Sequence, residues 1–286
     1  MRKKVLTVSL VLAMVLSFAA CEGEAKEGVE LPLSQEIVES VVASWADIRT
    51  YQFDMHMTMD MAGEFEDEAV ETSMVTESSG MLDLENKQMK MDMTMNMVVP
   101  GEDKTETGME MYLIGDMMYM MMDVPGMGPM WMKSETPEGT WDRMSQTESQ
   151  IELLKTAQVN IIGSEKVSGV DCYVLQLVPD AEQLWKLAMQ QAQVSEEAMM
   201  PDVTEELLKE IFRSFSVKQW IAKDTYFLTK AEIDMTIEMT PEAMGIPEEG
   251  VLNMDISLDL LCYNYNQPVS IVLPPEAEGA VEIPKP

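Results

Sequence analysis

Few residues of this chain could support catalysis: its 286 residues include one His, three Cys and 51 acidic side chains. A nucleophilic Ser or Cys needs a neighbouring base. His56 alternates with Met55 and Met57, which predicts a solvated position on the polar side of a strand. The sequence contains no Gly-rich phosphate loop and no GxSxG elbow, and its carboxylates are so numerous that no pair stands out. We therefore predict a non-enzymatic protein without catalytic residues or cofactors.

Methionine is the most unusual residue, with 31 copies, of which 21 lie between Met55 and Met132. Three interpretations remain open. The methionines could fill an ordinary core, or they could line an adaptable cavity for a hydrophobic ligand, since stiffer side chains specify a fixed core better. Their thioethers could also bind a soft metal such as Cu(I), but copper sites usually include His or Cys, so we assign no metal ligands. The densest cluster comprises Met117, Met118, Met120, Met121 and Met122.

The first 21 residues have the plan of an export signal. Arg2, Lys3 and Lys4 precede an apolar run over residues 5–18, which is short for a membrane span, and two Ala residues precede Cys21. Small residues before a Cys resemble the bacterial lipobox, in which that Cys becomes the lipid-carrying N-terminus. We therefore expect a lipoprotein signal peptide over residues 1–20, lipidation of Cys21 and a flexible acidic linker over residues 21–33.

The charge of the chain excludes several kinds of partner. Its 51 acidic and 19 basic residues give a formal net charge of −32. Nucleic-acid-binding proteins present a basic face, and so do helices that lie on anionic membranes, so neither contact is expected. We predict that the lipid alone attaches the protein to the extracytoplasmic face of the cell membrane. In that compartment Cys172 and Cys262 could form a disulfide or remain as two buried thiols.

Sequence periodicity predicts the elements that position these residues. Helical spacing predicts a helix from Ser34 to about residue 48. Alternation then predicts strands at 53–61, 70–84 (with Gly80 as a possible bulge), 89–97, 109–114 and 117–122. A helix at 148–158, strands at 159–166 and 170–178, helices within 180–214 and strands at 216–222, 226–239 and 251–265 follow. The sum is an α+β fold, with one curved antiparallel sheet over an N-terminal helix and a central helical insertion.

Several segments of the chain resemble a known superfamily. They are residues 50–53 (TYQF), 163–175 (GSEKVSGVDCYVL), 220–225 (WIAKDT), 228–231 (LTKA) and 269–275 (VSIVLPP). Together with the order of elements, they make residues 34–280 resemble the LolA-like carrier superfamily, which includes the mycobacterial LppX/LprG lipoproteins. The resemblance implies a half-barrel that binds acyl chains or lipoproteins in its hollow, with residues 34–286 as one domain.

These observations predict a lipid-anchored extracytoplasmic binding protein or carrier for a hydrophobic ligand or lipid. The concave sheet face and a helix after Asp180 are expected to line its cavity. The predicted lining residues are Met55, Met57, Met59, Met91, Met93, Met95, Leu184 and Trp185. The main alternative is an envelope lipoprotein with a filled Met-rich core that acts in protein interaction or signalling. Soft-metal binding is the weaker alternative.

Overall fold

Long alternating segments of the chain form strands of a single sheet. The computed structural model describes residues 34–65, 68–124, 126, 128–136, 140–141, 157–178, 211–240 and 250–283. Within these ranges the sheet has 12 strands. They are β1 (Thr50–Phe65), β2 (Glu68–Asp83), β3 (Gln88–Val98), β4 (Thr105–Ile114), β5 (Met117–Val124), β6 (Gly128–Glu135), β7 (Gln158–Val167), β8 (Val170–Val178), β9 (Phe212–Ala222), β10 (Leu228–Met239), β11 (Gly250–Tyr263) and β12 (Val281–Glu282).

The strand order is β12-β6-β5-β4-β3-β2-β1-β11-β10-β9-β8-β7, so two meanders meet where β1 pairs with β11. All pairings are antiparallel except that of β12 with β6. The sheet is curved and unclosed, with β12 and β7 as its edges. This architecture confirms the predicted α+β half-barrel, whereas most of the predicted helical insertion lies outside the described residues. So does most of the predicted helix at 148–158, but its last residue, Gln158, begins β7 instead.

The two faces of the sheet have opposite chemistry. In β1, Met57 pairs with Thr76 of β2 and Leu258 of β11, while the next residue toward the N-terminus, His56, pairs with Glu77 and Asp259. Because side chains alternate along a strand, the first row lies on one face and the second on the other. We call the face that carries Met55, Met57 and Met59 the Met face, and the opposite face, with Asp54, His56 and Asp60, the acidic face.

One helix covers the Met face near the β7 edge. Helix α1 (Ser34–Ser44) begins where predicted, but it ends four residues early and continues as a 3₁₀ turn (Trp45–Asp47). The Ser44 hydroxyl donates to the Val41 carbonyl oxygen, 2.8 Å away, within this last turn. Among the described residues, no helix has the length and apolarity needed to cross a membrane. The cluster that α1 forms with the sheet contains Ile37, Val38, Val41, Leu175, Leu177, Val217 and Ile221.

Gly80 is not a bulge, which corrects the prediction. It pairs in unbroken register with Phe53 of β1 and Met91 of β3. A Cβ atom at this position would lie 2.5 Å from Cζ of the Phe53 ring and 2.7 Å from the carbonyl oxygen of Lys90. The glycine is required because the Phe53 ring packs directly over it.

Two strands and several strand boundaries also differ from the prediction. Strands β6 and β12 were not predicted, although Met130 and Met132 of β6 continue the alternation of the neighbouring strands. Strand β9 begins at Phe212, four residues earlier than predicted, because Phe215 and Val217 alternate toward the core and pair with β10.

Candidate functional site

The six predicted methionines all lie on the Met face, in two strands separated by β2. Pairing through β2 aligns Met55 with Met93 and Met57 with Met95. Their burial differs: Met55, Met57 and Met59 are 5%, 4% and 2% exposed, whereas the three β3 residues (Met91, Met93 and Met95) are half-buried. The structure therefore brings the six together as a continuous surface that is closed at β1 and accessible at β3. Leu184 and Trp185 lie outside the described residues.

Strand β2 forms a floor of small side chains between these methionines. On the Met face it presents Thr76, Ser78 and Gly80, each flanked by a β1 and a β3 residue. Ser78 is 6% exposed, and its Oγ atom has no hydrogen-bond partner in the described part of the chain. These small residues lie between longer ones, and the buried Ser78 hydroxyl is free to donate or accept.

The methionine surface extends well beyond the predicted residues. Pairing across β4, β5 and β6 continues the β3 rows to β6, the strand next to the edge strand β12. Met130 of β6 is 45% exposed, and the other added methionines are half-buried. Sequence reasoning missed these positions because register between strands is needed to place them on one face. We call the following set the Met wing: Met91, Met93, Met109, Met111, Met120, Met122, Met130 and Met132.

The dense methionine cluster of β5 is divided between the two faces. Met120 pairs with Met111 and belongs to the Met wing, as does Met122. Met117 and Met121 alternate with them, and Met121 pairs with Glu110 of β4 on the acidic face. A run that looks like one cluster in the sequence is thus two separate surfaces.

Two residues from flanking segments complete the hydrophobic cluster on the Met face. Trp141 and Ile211 are both buried and belong to the same hydrophobic cluster as Met55, Met57 and Met59. The Trp141 indole Nε1 donates to the carbonyl oxygen of Gly115, 2.6 Å away, at the turn between β4 and β5. This bond ties the segment after β6 to the tip of the β4–β5 hairpin.

The acidic face carries an open groove of about 680 Å³. His56 lies in it, on the polar side of β1 as predicted, but it is half-buried, with Nδ1 2.6 Å from Oε1 of Glu77. Lys230 also lines the groove and contacts Glu232 and Asp259; burial opposes its charge, but these carboxylates raise its pKa overall. The groove is on the face opposite the predicted cavity. Its acidic lining residues are Asp54, Glu77, Asp92, Glu110, Asp123 and Asp259.

Carboxylates dominate the groove without converging on one point. Within the described residues, no group of three or more His, Cys, Asp or Glu side chains is arranged to hold a metal ion. Lys90 donates to Asp92 at 2.8 Å, and this hydrogen bond raises the pKa of Lys90. The groove is therefore a strongly anionic, partly ion-paired surface.

Cys172 and Cys262 are free, buried thiols. Cys262 packs on the Met face with Phe53, whereas Cys172 packs with Val174 and Trp220 on the other face, so the two cannot pair. Burial raises the pKa of Cys262 to about 12.

Burial also raises the pKa values of the neighbouring phenols Tyr51 and Tyr265, whose rings stack with centroids 5.7 Å apart. The junction of the two meanders is thus a cluster of neutral groups around the buried Cys262 thiol.

The fold defines an α+β protein built on one open antiparallel sheet with a broad methionine-lined face. Residues 34–281 match the model of a family described as "Family of unknown function (DUF6612)", and the chain belongs to this family. No curated protein matches it in sequence.

Solved structures with a similar fold include two mycobacterial lipoproteins. LprF from Mycobacterium bovis is 13% identical, with 86% of this chain and 99% of that chain covered and a TM-score of 0.42. The lipoprotein LppX from Mycobacterium tuberculosis is 12% identical, with 84% and 98% covered and a TM-score of 0.37. A putative outer membrane lipoprotein-sorting protein domain from Vibrio parahaemolyticus is 14% identical, with 83% and 95% covered and a TM-score of 0.22. These are likenesses of fold alone, and they carry no conclusion about superfamily or function.

Proposed function

We propose that this protein is a non-catalytic, lipid-anchored binding protein or carrier for a hydrophobic ligand with acyl chains. The observation that carries the proposal is the accessibility of the Met wing. A face that served only as core would be expected to be buried throughout, as it is at Met55, Met57 and Met59 of β1, yet the methionines of the Met wing are half-buried or exposed. Monomeric soluble proteins rarely leave so large a contiguous apolar patch open unless it binds something.

The physical chemistry of Met suits such a ligand. Its unbranched, polarizable side chain adapts to irregular apolar shapes, and covering apolar surface contributes about 0.8 kcal/mol for each buried methylene. The half-buried methionine rows that cross β3 to β6 offer an acyl chain an apolar surface along which to lie. No covalent chemistry is required for this binding.

The anchor in this proposal is the Cys21 thiol. The basic, apolar and small-residue segments before it support export and lipidation. The acidic linker over residues 21–33 would then separate the domain from the bilayer, and the net charge of −32 would oppose direct contact with an anionic surface.

The alternative proposal is an envelope lipoprotein with a filled core that acts in protein interaction or signalling. The observation that favours it is the near-complete burial of Met55, Met57 and Met59 together with Trp141 and Ile211. In that case the inner part of the Met face is closed, and only the edge near β6 remains to meet a partner.

Lipid extraction and fluorescent fatty-acid binding separate the two proposals. We expect native mass spectrometry of the protein to show co-purified lipid, and the purified protein to bind a fluorescent fatty acid. Met93→Glu should weaken that binding at least tenfold, because a carboxylate is placed on the apolar surface. Thr94→Glu is the matched control, since it places the same charge one residue along on the acidic face. Absence of both co-purified lipid and fatty-acid binding would overturn the carrier proposal.

Membrane attachment is tested independently. Cys21→Ala should abolish lipidation and leave the protein free of the membrane fraction while its domain still folds. Persistent membrane association of this variant would show that another feature holds the protein at the membrane.

A further inference from the structure

The Met wing is also an ordered array of thioether sulfurs, a property that binding of an acyl chain does not use. Two adjacent rows cross β3, β4, β5 and β6 on one face, and the members of each row are direct cross-strand partners. The first row is Met93, Met109, Met122 and Met130, and the second is Met91, Met111, Met120 and Met132.

The spacing of the array allows several sulfur atoms to converge. Direct partners in antiparallel strands have Cβ atoms about 4.5–5.5 Å apart, and alternate residues on one strand are about 7 Å apart. The methionine side chain has three rotatable bonds. The block formed by Met109, Met111, Met120 and Met122 can therefore turn three thioethers toward one point without a change in the backbone.

Access distinguishes this array from the other methionines of the same face. The β1 residues Met55, Met57 and Met59 are at most 5% exposed, so an ion cannot reach their sulfurs from solvent. In the block of β4 and β5 all four side chains are half-buried. They combine a fixed backbone position with a route to solvent.

We propose that the Met wing binds a soft monovalent cation, Cu(I) or its chemical analogue Ag(I), through thioethers alone. Uncharged, polarizable sulfur selects such ions, whereas Ca²⁺ and Mg²⁺ require oxygen ligands. His56 lies on the acidic face, and Cys262 is buried at the junction of the meanders, so neither joins the set. Neutral thioether ligands do not cancel the positive charge of the ion. The net charge of −32 of the protein compensates that charge.

The test uses the intact protein with Cu(I) buffered by bicinchoninate, a chromogenic Cu(I) chelator. We expect the protein to withdraw at least one equivalent of Cu(I) from the chelator. Replacing Met109, Met111, Met120 and Met122 by Leu should weaken this binding at least tenfold, because Leu keeps the apolar volume and removes the sulfur. The matched control replaces Met81, Met117 and Met121 by Leu: these are also half-buried, but they lie on the acidic face.

Several outcomes would overturn the proposal. They are the absence of competition with bicinchoninate, unchanged binding in the Met-wing variant, or an equal loss in the control variant. A second measurement needs no variant: Ag(I) should slow peroxide oxidation of Met109 and Met122 and leave that of Met81 unchanged, as mapped by peptide mass spectrometry. Equal rates with and without Ag(I) would contradict the proposal. Fatty-acid binding is measured on the unsubstituted protein in the absence of metal, so failure of the Cu(I) site and failure of the proposed carrier function are distinguishable.

Discussion

The two ends of the sheet bury their apolar faces with different residues and to different extents. Near β7, the face is made of Ile, Val and Leu, and α1 covers it so closely that Leu175, Leu177 and Val217 are fully buried. Toward β6, the same face carries the Met wing, whose residues remain half-buried or exposed. Branched side chains specify a fixed packing, whereas Met adapts to what it contacts. The contrast indicates a stable, helix-covered half that supports an adaptable binding half.

The largest expected effect is a difference in the stability lost when one side chain in each half is truncated to Ala. Leu175→Ala should destabilise the protein by about 2–5 kcal/mol, because the side chain is fully buried beside α1 and its removal leaves a cavity. Met120→Ala, in the Met wing, should cost about 1 kcal/mol, because only part of its surface is buried. Chemical denaturation of both variants measures the difference. Equal losses would contradict the division into two halves.

The next effect tests the packing of β1 on β2, where the Met half begins. Gly80→Ala should cost about 1–3 kcal/mol, because the added Cβ meets Phe53 and the Lys90 carbonyl. Gly108→Ala is the control: its Cβ would have only Asp123 nearby, at 3.9 Å, so we expect no loss or a small gain in stability. Thermal and denaturant unfolding measure the change in stability of both variants. Recovery of part of the loss by Phe53→Leu in the Gly80→Ala background would identify the ring as the cause.

A third prediction concerns the junction between the halves and alkaline pH. The folded-state pKa of Cys262 is about 12, and those of Tyr51 and Tyr265 are also raised by burial. The unfolded chain ionises these groups first, so between about pH 9 and 12 it binds fewer protons than the folded protein, and stability falls as pH rises.

In this range, Cys262→Ser should make the fall of the unfolding free energy with rising pH less steep, by up to about 1.4 kcal/mol per pH unit. It should leave the slope at pH 6–8 unchanged, because Cys262 is protonated in both states there. Equilibrium unfolding at stepped pH measures the slopes. An unchanged slope above pH 9 would show that the thiol is not sealed.

Much of the fold follows from periodicity within the chain. The alternation of Met55, Met57 and Met59 with polar residues fixed both strand and face, and the apolar spacing of Ile37, Val38 and Val41 fixed the buried side of α1. These are local signals, because each side chain's direction depends only on its own strand or helix. The order of the strands carried less information in the sequence, since the pairing of β1 with β11 joins residues about 200 positions apart.

The candidate site was only half predictable for the same reason. Met91, Met93 and Met95 alternate in isolation, but the run from Met117 to Met122 has methionines at both parities, and only register with β4 divides it between the faces. Gly80 was misread as a bulge because a glycine in a strand has two explanations, and the choice depends on the Phe53 ring of another strand. Contacts between strands decide these details, and such contacts cannot be predicted from the sequence of a single segment.

The smallest expected effect compares one conservative substitution in the two halves of the Met surface. Met57→Leu exchanges nearly equal volumes in a packed environment, where the branched side chain fits less well, and should cost up to about 1.5 kcal/mol. Met120→Leu should be nearly neutral, because its half-buried surroundings can rearrange. The denaturant concentrations at the midpoints of unfolding resolve the two variants, provided that the dependence of the unfolding free energy on denaturant concentration is the same for both. A cost at Met120 as large as that at Met57 would mean that the Met wing is as rigidly packed as the β1 core, and an adaptable binding surface would then lose its physical basis.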